Sequence, residues 1–75
     1  MASDAALERT PVEDELAMAR RHVGSGRRIV ARQRGIVDRF EAAGRDATSA
    51  QEALAGFEQS QAIFEDDLTA LLKSE

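Results

Sequence analysis

The sequence contains no cysteine, tryptophan or tyrosine, and it has one proline and three phenylalanines among 75 residues. Without cysteine the chain can form neither a disulfide framework nor a thiolate metal site. With so few aromatic side chains it has little to fill a thick globular core, and its length allows a single domain. No apolar run approaches the roughly 20 residues that span a bilayer, so we expect no membrane contact.

Strand signals are also lacking, because β-branched and aromatic residues do not alternate with polar ones over a strand length. The abundance of Ala, Glu, Arg and Leu is typical of long helices. We therefore expect an all-α fold. Residues 1–10 have neither a basic segment nor an apolar core, which argues against a signal peptide and favours a cytoplasmic location. We predict a disordered tail over 1–10 and a helical domain over 11–75.

The first predicted helix covers about 11–43 and carries an apolar seam of seven-residue period. One row of the seam contains Leu16, Val23, Val30 and Val37, and the other contains Ala19, Gly26, Gln33 and Phe40. Thr10, Pro11 and Glu13 make a capping-box start, and Gly44 suits the end of the helix. Gly24 to Gly26 is a weak point, but we expect the helix to continue because the seam keeps its phase there.

The second predicted helix covers about 47–73, with Asp46, Thr48 and Ser49 as candidate N-caps. Its seam contains Ala50, Leu54, Phe57, Gln61, Phe64, Leu68 and Leu71. A loop of a few residues between two long helices makes them antiparallel, so the sequence predicts a two-helix coiled-coil hairpin.

The register of the hairpin can be predicted by aligning the two seams. If the numbers of facing residues add to 94, Gln33 faces Gln61, so each amide has the other as its partner. We expect this pair to fix the register, because a slip would place each amide against an apolar residue. The same alignment places Gly26 opposite Leu68 and Gly44 opposite Ala50.

The two flanks of the predicted hairpin differ in character. On one flank Arg27 faces Glu65 and Arg34 faces Glu58, which gives ion pairs between the helices. The other flank is apolar and a hairpin cannot cover it; it contains Ile29, Ile36, Ala43, Ala53 and Ile63. We interpret these five residues as an interface through which two copies form a homodimeric four-helix bundle.

No residue pattern indicates catalysis, a cofactor or a metal ion. His22 is the only imidazole, and Met18 and Gly26, four residues away on either side, offer no zinc ligand. The acidic run from Glu65 to Asp67 lacks the spacing of a calcium loop. We therefore predict a protein that is not an enzyme and binds neither cofactor nor metal.

Charge is segregated along the chain, with eight arginines and two acids in residues 20–45 between two acidic segments. A basic middle between acidic ends favours a chain that neutralises itself by folding back. The predicted function is a small adaptor or regulator that binds an unknown protein partner through its helices and also self-associates. The alternative is a nucleic-acid-associated protein that uses the arginine face of the first helix, although no aromatic residues interleave with these arginines.

Some of these residues also occur in a known pattern. His22-Val23 followed by Gly26, Gln33, a Gly44-Arg45-Asp46 turn, and Leu54 with Phe57 resembles a group of short alphaproteobacterial proteins without an assigned function. The resemblance covers roughly residues 20–72 and implies a bacterial helical hairpin, but no activity. The chain departs from the group at Ala47, where a turn threonine is usual, and at Phe64, where histidine is common. The second departure argues against a metal-binding role.

Overall fold

The computed structural model describes residues 11–74, apart from the side chain of Val12. Helix α1 is Pro11–Ala42 and helix α2 is Thr48–Lys73, and no strand occurs between residues 11 and 74. The helices pack antiparallel along their length, which confirms the predicted all-α hairpin. The predicted tail over 1–10 and the predicted cap at Thr10 lie outside the described residues.

Helix α1 is continuous through Gly24-Ser25-Gly26, as the unbroken phase of its seam predicted. It ends at a left-handed glycine, Gly44, whose φ is 68°. The N–H of Gly44 donates to the carbonyl of Glu41 at 3.0 Å, and the N–H of Arg45 donates to that of Phe40 at 2.9 Å. These two bonds form a Schellman motif. The Arg45 guanidinium lies 5.0 Å from the centre of the Phe40 ring and covers the end of the helix.

Helix α2 begins at Thr48, one residue later than predicted, and Asp46, the residue before the N-cap position, bonds its first residue. The Asp46 carboxylate accepts hydrogen bonds from the Thr48 hydroxyl at 2.6 Å and the Thr48 N–H at 3.0 Å. These bonds hold the pKa of the Asp46 carboxyl below its ordinary value of 3.8. Of the three candidate caps, Thr48 and Ser49 both lie inside the helix, so their capping roles were wrongly predicted; the N-cap position is Ala47.

We expect Asp46→Ala to lower the melting temperature at neutral pH, because α2 then begins without a side-chain acceptor. Since folding lowers the pKa of Asp46, its contribution is present above pH 3.8 and is lost as the pH falls through the lowered folded value. The gap between the wild-type and variant melting temperatures should therefore close in acid. Thermal unfolding followed by circular dichroism at a series of pH values checks this, with Ser49→Ala as the control. An equal gap at every pH would contradict it.

The core is a single seam between the helices. Its buried apolar residues are Leu16, Ala19, Val23, Val30, Val37, Ala47 and Ala50, and Gln61 is buried among them. No side chain in the described part of the chain is less than 2% exposed. The hairpin therefore has one thin layer of mostly small side chains, which is less apolar burial than a stable small domain usually needs.

Relative to the predicted register, α2 is shifted along α1 by seven residues. The amide of Gln61 fills the space beside Gly26, and its Nε2 donates to the Val23 carbonyl at 3.0 Å. The numbers of Gly26 and Gln61 add to 87, which is seven fewer than the predicted 94. The predicted pairs Gln33–Gln61 and Gly26–Leu68 are therefore wrong. Instead, Gln33 Nε2 donates to the Ala50 carbonyl at 2.9 Å.

The loop agrees with the observed register. Helix α1 ends at Ala42 and α2 begins at Thr48, and a sum of 87 places the reversal between Ala43 and Gly44, inside the loop. The predicted pairing of Gly44 with Ala50 needs a reversal near Ala47, the last residue before α2. In the observed register Ala47 falls opposite Phe40, and Ala47 is buried. The seam therefore extends into the loop.

Candidate interaction surface

The seam divides the surface of the hairpin into two flanks. On the charged flank, Arg27 forms an ion pair with Glu65 at 2.9 Å and Arg34 forms one with Glu58 at 2.8 Å. Both pairs were predicted and both are exposed, so they orient the helices more than they stabilise them. Farther along this flank, Gln51 donates to the Glu41 carboxylate at 3.2 Å.

The opposite flank is apolar and stays uncovered by the hairpin. We define the apolar flank as Met18, Ile29, Ile36 and Ala43 on α1 and Ala53, Phe57, Ile63 and Ala70 on α2. Ile63 is 57% exposed, Met18 51%, Ile29 47% and Phe57 41%. Four large apolar side chains this exposed on one face are unusual for an isolated hairpin, and such faces typically contact other chains.

All five residues predicted as an interface lie on this flank. Ile36 is half-buried, whereas Ile29, Ile63, Ala43 and Ala53 are exposed. They follow the helical period: Ile29, Ile36 and Ala43 recur every seven residues on α1. Their assembly into an interface between chains stays a prediction.

A groove of about 390 Å³ opens on this flank, near the start of α1 and the end of α2. Its apolar lining includes Met18, Phe64 and Leu71, and the carboxyl-bearing residues Glu15 and Asp67 also line it. The His22 ring lies 5.3 Å from the Phe64 ring, centre to centre, with a 46° angle between their planes. This groove was not predicted from the sequence, because His22 lies beside Phe64 only in the observed register.

The arginines have different surroundings. Arg27 and Arg34 lie on the charged flank in ion pairs, and Arg45 lies over Phe40. Arg32 and Arg39 are exposed on the other side of α1, each three residues after an isoleucine of the apolar flank. A nucleic-acid backbone following α1 would meet only some of these side chains. Nucleic-acid binding stays a prediction.

Within residues 11–74, no three His, Asp or Glu side chains lie close enough to hold a metal ion together. Neither α1 nor α2 has the length of apolar sequence needed to cross a bilayer. The apolar flank with its groove is the candidate interaction surface.

No protein-family model, curated protein or solved structure matches this chain significantly. The resemblance to short alphaproteobacterial proteins stays a prediction. Function has to be argued from the surface itself.

Proposed function

We propose that the protein is a non-catalytic helical interaction module that acts through its apolar flank, first by self-association into a four-helix bundle. The observation that carries this proposal is the exposure of Ile29 and Ile63 on one face of the hairpin. In the bundle that face becomes the central core. A regulatory or adaptor role then depends on what the assembled bundle binds by helix packing.

The thin core supports the same conclusion. A hairpin whose seam contains mostly valine and alanine buries little apolar surface, and chains of this size usually need a second layer, a metal or disulfides. This chain has no cysteine, and no metal-binding cluster lies within residues 11–74. The apolar flank of a second copy would supply the second apolar layer.

We expect the wild-type protein to have the mass of a dimer in solution, and Ile29→Glu with Ile36→Glu to convert it to a monomer. The two glutamates would lose water at the bundle core, which is strongly unfavourable even with Arg32 and Arg39 one turn away. Multi-angle light scattering over a dilution series measures this.

The control is Leu72→Glu, which changes a residue that is 44% exposed and belongs to the charged side of α2. It should leave the mass unchanged. A wild-type monomer at all concentrations would overturn self-association. A dimer that persists in the Ile29→Glu, Ile36→Glu variant would show that another surface mediates it.

A further inference from the structure

The two helices carry opposite charge. Helix α1 has seven arginines and five acids, a net charge of +2, whereas α2 has five acids and Lys73, a net charge of −4. The imbalance extends to the edges of the apolar flank, with Arg32 and Arg39 beside it on α1 and Glu52 and Asp66 beside it on α2. Any dimer formed through this flank must place these edges against one another.

Two symmetric face-to-face arrangements are available. A two-fold axis along the bundle puts both loops at the same end and sets each α1 against the α2 of the other copy. A two-fold axis across the bundle puts the loops at opposite ends and sets α1 against α1 and α2 against α2. Both are closed isologous dimers, so symmetry alone does not choose between them.

Charge does choose. In the arrangement with loops at opposite ends, the two α1 helices run antiparallel over 11–42, so facing numbers add to about 53 and Arg32 lies at the height of Arg21 of the partner subunit. The two α2 helices run antiparallel over 48–73, so Glu52 lies within about one helical turn of Asp66 of the partner subunit. Like charges placed opposite each other at an interface repel and weaken association. In the arrangement with loops at the same end, each basic edge meets an acidic edge instead.

The observed register shows which residues would meet. A two-fold rotation about the long axis of the bundle leaves the position of every residue along that axis unchanged. The rule that facing residue numbers add to about 87 therefore also applies between α1 of one copy and α2 of the other. Glu52 of the partner subunit then lies at the height of Gly35, between Arg32 and Arg39. Asp66 of the partner subunit lies at the height of Arg21. On the apolar side, Ile36 lies beside Ala53 of the partner subunit.

We propose that the partner for the apolar flank is a second copy of the chain with its loop at the same end, so that each α1 packs on the α2 of the other copy. This inference rests on the proposed self-association and specifies its geometry. Every helix in this bundle has two antiparallel neighbours of opposite net charge.

The size of the flank suits a second copy. Helix α2 has 26 residues, which is about 39 Å at 1.5 Å per residue. Two helices side by side present a face about 20 Å wide. Their product, about 800 Å², is the area that each partner contributes to a stable interface of standard size.

The absence of cysteine allows a direct test of orientation, because Arg45→Cys gives the full chain one site for a spin label. With both loops at one end, pulsed electron paramagnetic resonance should give a distance below about 30 Å between the two labels. With loops at opposite ends it should give about 50 Å, because α1 is 32 residues long. A distance near 50 Å would overturn the proposed orientation while leaving self-association intact. A monomeric protein would overturn both.

Charge reversal provides a second test. Arg32→Glu with Arg39→Glu should raise the dimer dissociation constant at low salt at least about tenfold. Adding Glu52→Arg to the same chain should recover much of the loss. Arg20→Glu, a reversal on the charged side of α1, is the control and should change little. If loops lie at opposite ends, Arg32→Glu removes a like-charge contact, whereas Arg39→Glu removes an attraction to the acidic first turn of the other α1. The two effects oppose each other, so an unchanged dissociation constant would contradict the proposal.

Discussion

Gly26→Leu is expected to destabilise the hairpin by about 3 kcal/mol or more, because no room exists for a side chain at this position. A Cβ atom built on Gly26 would overlap with Gln61 Oε1 and lie 2.7 Å from Gln61 Cδ. A leucine has to push the helices apart or expel the Gln61 amide, and expulsion loses its bond to the Val23 carbonyl. Urea unfolding at one fixed protein concentration measures the change in free energy.

Gly35→Leu is the matched control for this prediction. Nothing lies within 4 Å of a Cβ atom at Gly35, so the same substitution there only improves helix propensity. We expect it to stabilise α1 slightly. Equal effects of Gly26→Leu and Gly35→Leu would show that Gly26 does not face α2. Combining Gly26→Ala with Gln61→Ala should be less harmful than the separate effects added together, because the second substitution removes the obstacle.

Gln61→Met is expected to raise the free energy of unfolding by about 1 to 2 kcal/mol. Gln61 is 8% exposed, and its Oε1 is buried without a hydrogen-bond partner. Methionine has a similar length and no polar atom that needs a partner, so it removes this cost. It also loses the bond from Nε2 to the Val23 carbonyl, which is worth about 1 kcal/mol net.

Gln33→Met is the comparison, because Gln33 is only half-buried and its Nε2 bonds the Ala50 carbonyl. We expect a smaller gain there. Urea unfolding of both variants gives the two free energies. A loss of stability in Gln61→Met would mean that Oε1 has a partner in solution, such as an ordered water, and that the amide network is satisfied.

The sequence was enough to predict the helices, their antiparallel packing and the two ion pairs. Helix limits followed from local chemistry: a glycine that can adopt positive φ at Gly44 and a carboxylate at Asp46 that bonds the first residue of α2. The seams followed from the seven-residue spacing of Val23, Val30 and Val37. These signals lie within a few residues of one another, so sequence alone is sufficient to recognise them.

The register could not be predicted from the same pattern, because a seven-residue repeat looks identical after a slip of seven. Even the ion pair between Arg27 and Glu65 is compatible with both alignments, since long side chains can reach across the difference. What separates the alignments is the shape of the space at Gly26 and the position of the chain reversal before Thr48. The predicted register relied on the two glutamines pairing with each other, but each of them donates to a backbone carbonyl of the opposite helix.

The groove beside His22 escaped the sequence analysis for a related reason. Its lining comes from both helices, and the predicted register put different residues of α2 beside His22. A register error of seven residues therefore changes which residues of α2 line the groove, although it leaves the predicted helix boundaries unchanged. Surfaces built from two elements depend on register far more than the elements themselves do.

The two ends of the hairpin differ in what they contain. Pro11, the first residue of α1, and Lys73, the last residue of α2, lie at the same end, and the five-residue loop lies at the other. In a bundle with both loops together, the first turns of both α1 helices and the last turns of both α2 helices would gather on one side, with a compact cap of two loops on the other. An epitope inserted at Arg45 would project from the cap, about the length of α1 away from Pro11.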